Sequence, residues 1–412
     1  MACGIYSGGT RGLLCLGALA FGLLAAETAH ADDIKLGILF DVTGPVADMV
    51  PPLLDATKLA VDEVNANGGL LKGQNLQTIL ADSKGTADDA VAAATTLVGD
   101  GKVVAVIGAI TSVSTLAAAH NVTIPKGVLM ISPASTAVEL TDLEDKDFVF
   151  RVVPSDADQG WVLAGLVHQK GFTKVAVTYV DNDYGSGLND TFRDNFQNYK
   201  GVVTTALSHE ANKANYSDEL KQLEQYDPEA LVLFDFATAG GITLIKDALA
   251  NGHFKQFIGT DGLIDPALIT EVGADKLKGM FFTAPAADDS SSAAKKFDLL
   301  YKAAFNRTGD EEFAAESYDA VMLTALAIEK AGSTDRKKVR DALREVCCSA
   351  DGEVIEPGEW AKAKAAIAAG KKINYEGASG NCDFDENGDV RGVYGHYEIV
   401  DGAFKQVELL KP

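Results

Sequence analysis

Along the chain, short runs of aliphatic and β-branched residues alternate with segments whose apolar positions recur every three to four residues. The first kind predicts strands and the second amphipathic helices. Ile34–Phe40 (IKLGILF) predicts a buried strand, and Leu53–Asn65 a helix that stops at Gly68-Gly69. Strands at Leu76–Leu80, Val103–Ile107 and Val128–Ile131 then alternate with helices at Ala87–Val98 and Ser112–His120. A second series has strands Lys174–Val180, Val202–Leu207, Ala230–Phe236 and Gln256–Ile258. Its helices are Asp158–Gln169, Gly187–Tyr199, Ser217–Tyr226 and Ile242–Asn251. Continuous apolar strands imply sheets covered on both faces, as parallel sheets are. Two such series predict an α/β protein of two doubly wound parallel-sheet lobes.

The last third breaks the alternation. Ala293–Asn306, Ala314–Ala331 and Asp335–Cys347 read as helices with no strand between them, so they need a sheet to cover. Arg151–Asp156 and Phe281–Asp288 read as passages between lobes. Residues 350–380 form a Gly- and charge-rich excursion with a short helix at Glu359–Ala369.

The N-terminus has a different pattern. Arg11 precedes an uncharged stretch from Leu13 to Ala26, and Ala29-His30-Ala31 offers a small-residue cleavage site. This is the layout of a secretory signal peptide, too short in its apolar core for a spanning helix. Export removes Cys3 and Cys15 and leaves Cys347, Cys348 and Cys382 in an oxidising compartment. A disulfide joining Cys382 to either Cys347 or Cys348 is expected there. The 36 basic and 59 acidic residues give a net charge of −23. That field repels nucleic acid and anionic lipid.

The chain lacks nucleotide-loop, zincin, hydrolase-elbow and paired-cysteine motifs, so no catalytic residue, cofactor or metal site is expected. Ser292-Ala-Ala-Lys295 has the spacing of an acylating serine but reads as a helix start. Asp383–Asp389 resembles a calcium-loop opening, yet the position of its bidentate Glu is Tyr394, and a turn at Asn387-Gly388 is expected instead. What remains is a pair of hydroxyl-rich loops after strands, Thr111–Thr115 and Ser132–Thr136. Open α/β sheets bind ligands at such strand ends, and a helix start with free N–H groups suits a carboxylate.

The segments IKLGILFDVTGPVAD (34–48), AVIGAITSVST (105–115), GVLMISPASTAVELT (127–141), FRVVPSDADQG (150–160), VDNDYGSG (180–187), FIGTDG (257–262) and FAAESYDA (313–320) together resemble the periplasmic leucine/isoleucine/valine-binding protein family. These are the type I substrate-binding proteins of ABC importers. The resemblance implies two lobes joined by three crossovers, with ligand enclosed between them. It divides the chain into signal peptide 1–31, lobe 1 at 32–154 plus 285–395, and lobe 2 at 155–284 plus 396–412.

By the same resemblance, Ser112 and Thr136 would hold a ligand carboxylate. The carbonyl of Ala134 and the acid Asp261 would hold its ammonium. Tyr184, Phe236 and Phe313 would form aromatic walls. Met49 stands where the family usually has an aromatic residue, so side-chain preference does not carry over. The implied partners are a small-molecule ligand, an amino acid, and ABC-transporter permease subunits, with a monomeric protein in the periplasm and no nucleic acid. A ligand-sensing subunit for a membrane receptor, an exported hydrolase, and a binder of an aromatic acid, amide or polyamine stay open as alternatives.

Overall fold

The computed structural model describes residues 32–309 and 311–412, so the signal-peptide reading of residues 1–31 lies outside the described residues. Strands β1 (Ile34–Phe40), β2 (Leu76–Asp82), β3 (Ala105–Gly108), β4 (Leu129–Ser132) and β5 (Val149–Arg151) form a parallel sheet in the order β2-β1-β3-β4-β5. Strands β6 (Lys174–Val180), β7 (Val202–His209), β8 (Ala230–Phe234), β9 (Phe257–Thr260) and β10 (Phe281–Ala286) repeat that winding as β7-β6-β8-β9-β10. A small parallel ribbon pairs β11 (Glu353–Ile355) with β12 (Ile373–Tyr375) inside the 350–380 excursion. The antiparallel hairpin β13 (Val393–Val400) and β14 (Ala403–Leu410) then adds to the second sheet beyond β10.

Each sheet is apolar on both faces because its strands alternate between two cores. Ile38 and Phe40 face one core of the first sheet and Leu39 the other. In the second, Val232 and Phe234 face one core and Leu231 and Leu233 the other. The C-terminal helices find their sheet here. Helix Ala314–Ala331 is buried from Ala314 to Ile328 and packs on β3 and β4 between helices Val50–Ala66 and Arg336–Cys347. That placement explains a helix with an apolar circumference far wider than an amphipathic stripe.

The chain passes from one sheet to the other three times: after β5, after β10 and before β13. The buried guanidinium of Arg151 ties the first and last passages together. It donates from Nε to Asp389 Oδ1 at 2.6 Å and from Nη2 to Asp389 Oδ2 at 2.7 Å, while Nη1 donates to the carbonyls of Thr136 and Ala137.

Three expectations change. Phe281–Ala286 is a paired strand rather than a passage, with Pro285 lying opposite Tyr394 of the antiparallel neighbour. Val149–Arg151 adds a fifth strand to the first sheet. The expected disulfide is absent, since Cys347, Cys348 and Cys382 are all free thiols. The Cys347 sulfur lies against the Leu343 carbonyl and bonds with the neighbouring Cys348, Cys348 also faces the Phe384 carbonyl, and Cys382 faces that of Gly380. The helix start at Ser292 and the turn closed by the Gly388 N–H on Asp385 O are found as expected.

The thiols should therefore differ in reactivity. Hydrogen bonding with Cys347 holds the half-buried Cys348 below the usual thiol range, whereas burial pushes Cys382 well above it. With a thiol-specific disulfide reagent, Cys348 should label first in folded protein prepared without reductant, and all three should label in denaturant. A denatured titre of one thiol would restore the bridge.

Candidate functional site

Both sheets wind in an order whose direction reverses beside the first strand of each series, between β1 and β3 and between β6 and β8. Ligands of open α/β sheets sit at the carboxyl ends of strands at such points. The two sets of strand ends face each other across a narrow cavity. It is lined by Val46, Met49, Ile110, Thr111, Ser112, Ala134 and Thr136 from loops of the first sheet, with Phe313. Tyr184, Phe236, Asp261 and Gly262 line it from the second. The structure thus brings together every residue named from the resemblance as ligand-facing. The cleft is shut at its mouth, where Thr238 Oγ1 donates to Pro45 O at 2.8 Å.

The hydroxyl-rich loops divide into two classes that composition does not separate. Ser132, Ser135 and Thr115 bond within and between the loops: Ser132 Oγ donates to Ala109 O at 2.7 Å, and the hydroxyls of Thr115 and Ser135 lie 2.6 Å apart. Ser112 and Thr136 are left to line the cavity. Ser112 Oγ accepts from the N–H of Ala137 at 3.2 Å, which leaves its own proton to donate. Ser112 also begins a helix, whose first N–H groups have no partner within it.

One residue holds this arrangement together. Asp41 directly follows β1 and is fully buried. Its Oδ2 accepts from the N–H groups of Ile110 (3.0 Å) and Thr111 (2.8 Å). Its Oδ1 accepts from the N–H of Gly85 and the hydroxyls of Ser83, Thr111 and Ser114. A carboxylate receiving so many donors fixes the loop that presents Ile110, Thr111 and Ser112 to the cavity.

On the opposite wall Asp261, 5% exposed, follows β9. Gln159 Nε2 donates to its Oδ1 at 2.7 Å and the Tyr184 hydroxyl at 3.3 Å. Burial pushes its carboxyl up to about 6, against the lowering effect of these donors. Tyr184 is braced in place: its ring stacks on Phe236 at 5.0 Å, and its hydroxyl bonds Thr260 and accepts from the Gly262 N–H. Behind them Asp156 is fully buried, its carboxylate facing the Thr136 side chain. Burial and the nearby Asp261 push its carboxyl well above the usual range. Phe313 holds a left-handed backbone, φ 57°, a costly conformation for an aromatic residue and one that concentrates at binding sites.

The periplasmic binding protein family matches residues 33–388. The chain belongs to that family. It is similar, at 28% identity over 91% of each chain, to the leucine-, isoleucine-, valine-, threonine- and alanine-binding protein of Pseudomonas aeruginosa. Among solved structures it is similar to the leucine binding protein LivK of Thermotoga maritima, with 26% identity, a TM-score of 0.78, and coverage of 92% of this chain and 99% of that one. It is also similar to LivJ of Streptococcus pneumoniae in complex with isoleucine, with 26% identity, a TM-score of 0.75, and coverage of 92% and 100%. The C-terminal helices over the first sheet and the three crossovers are therefore features of a type I periplasmic binding protein.

Asp41, Gln159 and Asp156 escaped the sequence reading of this periplasmic binding protein. A lone acid directly after a buried strand is the sign that marks Asp41, because only a carboxylate that gathers donors is tolerated there. Asp41→Asn tests its role. Whichever way the amide turns, it sets an NH₂ against a backbone N–H, of Gly85 or of Ile110 and Thr111. Urea unfolding should show a loss of about 3 kcal/mol or more. A loss under about 1 kcal/mol would show that the loop holds without Asp41.

Proposed function

We propose that this protein is a periplasmic solute-binding protein that captures a small zwitterionic amino acid with an apolar side chain and delivers it to an ABC importer. The observation that carries this reading is the division of polar character across the cavity. Hydroxyls and helix-start N–H groups line one wall, and a buried acid stands on the other. Donors on the first wall suit a carboxylate, and Asp261 with the Ala134 carbonyl suits an ammonium. Val46, Met49, Phe236 and Phe313 supply apolar contact for a side chain. The ligands named for the relatives from Pseudomonas and Streptococcus, aliphatic amino acids and threonine, support the same class.

The mechanism is a clamp. No single lobe holds both polar walls, so a ligand that touches both favours the closed form by its differential affinity. In the shut, dry cleft the charge-assisted bonds gain strength over their value in water. The protein acts as a monomer, and the closed lobes present the surface that the permease subunits read.

Two tests follow in calorimetry with L-leucine, L-isoleucine, L-valine and L-alanine. Asp261→Asn should weaken the amino acid that binds best by about 2–4 kcal/mol, as expected when a buried charged bond loses one partner. Unchanged affinity would remove the ammonium role. The second test is pH. Only ionised Asp261 holds an ammonium, and its carboxyl sits at about 6, so affinity is full above neutrality and falls as pH drops through that value. Binding at pH 5 should be about tenfold weaker than at pH 7. The Asn variant should lose this dependence.

A further inference from the structure

On the second sheet, three neighbouring strands carry a buried polar chain that does not line the cleft cavity. Thr178 on β6, His209 at the end of β7 and Asp235 just past β8 are 0%, 3% and 0% exposed. Thr178 Oγ1 lies 2.8 Å from His209 Nδ1, and His209 Nε2 lies 3.0 Å from Asp235 Oδ2. The other carboxylate oxygen, Oδ1, accepts from the N–H of Phe236 at 2.8 Å. Tyr216 closes the chain edge-on, its ring 5.3 Å from His209 at 81°.

This constellation has the order of a nucleophile–base–acid triad, but its side chains are sealed from solvent and from the cavity. It therefore has no access to a substrate. It reaches the cavity wall through the Phe236 amide, while Thr178 Oγ1 also donates to the Leu207 carbonyl at 3.2 Å. Phe236 in turn stacks on Tyr184, and its carbonyl accepts from the N–H groups of Ala239, Gly240 and Gly241 in the tight turn that follows. Close packing reinforces the connection. A Cβ on Gly240 would lie 2.5 Å from Asp235 Oδ2, and one on Gly262 would lie 2.7 Å from Asp235 O. Asp235 thus backs both the aromatic wall and the turn that bears Asp261.

We propose that the chain Thr178–His209–Asp235 is a positioning device that fixes Phe236 against Tyr184 and thereby sets the size of ligand side chain the cavity accepts. The size-setting part rests on the amino-acid reading above; the positioning part does not. An acid in this place satisfies the Phe236 N–H and uses its second oxygen to lock onto β7, so the aromatic wall is held from two strands. Replacing it with a small apolar residue would leave that N–H and the histidine unpaired in a buried place, and the wall would relax.

The experiment compares binding of L-leucine and L-alanine by the full-length secreted protein in four forms: wild type, Asp235→Ala, Asp235→Asn and Thr178→Val. In Asp235→Ala the leucine-to-alanine affinity ratio should change by about tenfold or more, with alanine affinity held within about threefold. Asp235→Asn should stay within about threefold of the wild-type ratio, because its Oδ1 still accepts from Phe236 and its amide donates to the other histidine tautomer. Thr178→Val, which keeps volume and removes the Thr178 bonds to His209 and to the Leu207 carbonyl, should move the ratio the same way by a smaller factor, and it serves if Asp235→Ala does not fold. An unchanged ratio, or equal loss for both ligands, would overturn the size-setting role. Hydrogen exchange of the Phe236 amide gives a readout free of ligand. It should speed up by about a hundredfold in Asp235→Ala while amides in the middle of β8 keep their rates. Unchanged Phe236 exchange would overturn the positioning role, whereas wild-type protein that binds neither amino acid would overturn the amino-acid reading alone.

Discussion

The cavity depends on a buried carboxyl placed just beyond a strand, at the point where each sheet reverses its winding. Such a point leaves a gap between two loops that diverge from neighbouring strands, and nothing in the sheet's own hydrogen bonding holds those loops in place. Asp41 does so on the first sheet by gathering the N–H groups of Ile110 and Thr111. On the second, Asp235 just past β8 ties Phe236 to His209 at the end of β7. Burying a carboxyl is costly unless donors surround it, so these positions hold only if the loops adopt the conformation that supplies them. The penalty for losing that conformation is what makes the site stiff.

That stiffness bears on ligand capture. A clamp gains affinity when its walls are organised before the ligand arrives, because fewer groups must be ordered on binding. Serines and threonines of the first sheet's loops are mostly committed within those loops, as with Ser132 to the Ala109 carbonyl and Ser135 to the Thr115 hydroxyl. On the far wall Gln159 and Tyr184 hold Asp261. Burial still leaves that acid poorly solvated and raised to about 6. An incoming ammonium, as proposed for the ligand, would supply the opposite charge there.

Much of this could be read from the chain, and the failures have physical causes. Most of the parallel strands were legible because short continuous apolar runs such as VVAVI and ALVLF suit a sheet covered on both faces. Phe281–Ala286 was missed because Pro285 argues against a strand, and the structure tolerates it beside an antiparallel neighbour. The C-terminal hairpin was missed because charged and glycine residues interrupt its alternation. At the site, the resemblance named Ser112, Thr136, Tyr184, Asp261, Phe236 and Phe313, and the fold gathers them around one cavity. Spacing could not say which hydroxyls would face inward, since Ser132 and Ser135 have the same chemistry as Ser112. Nor could it reveal Asp41 or Asp235, whose partners lie on loops distant in sequence. The cysteines misled for a related reason: compartment and count favour a bridge, but side-chain direction decides it.

The account's central claim is that a zwitterion is held by opposite charges on opposite walls. Calorimetry that compares L-leucine with its two half-molecules, 4-methylpentanoate without the amine and 3-methylbutylamine without the carboxylate, tests it most directly. The account predicts that L-leucine binds and that each half-molecule binds at least about a hundredfold more weakly, because each leaves one buried polar wall unpaired. Binding of either half-molecule within about tenfold of leucine would contradict it, since one wall would then suffice.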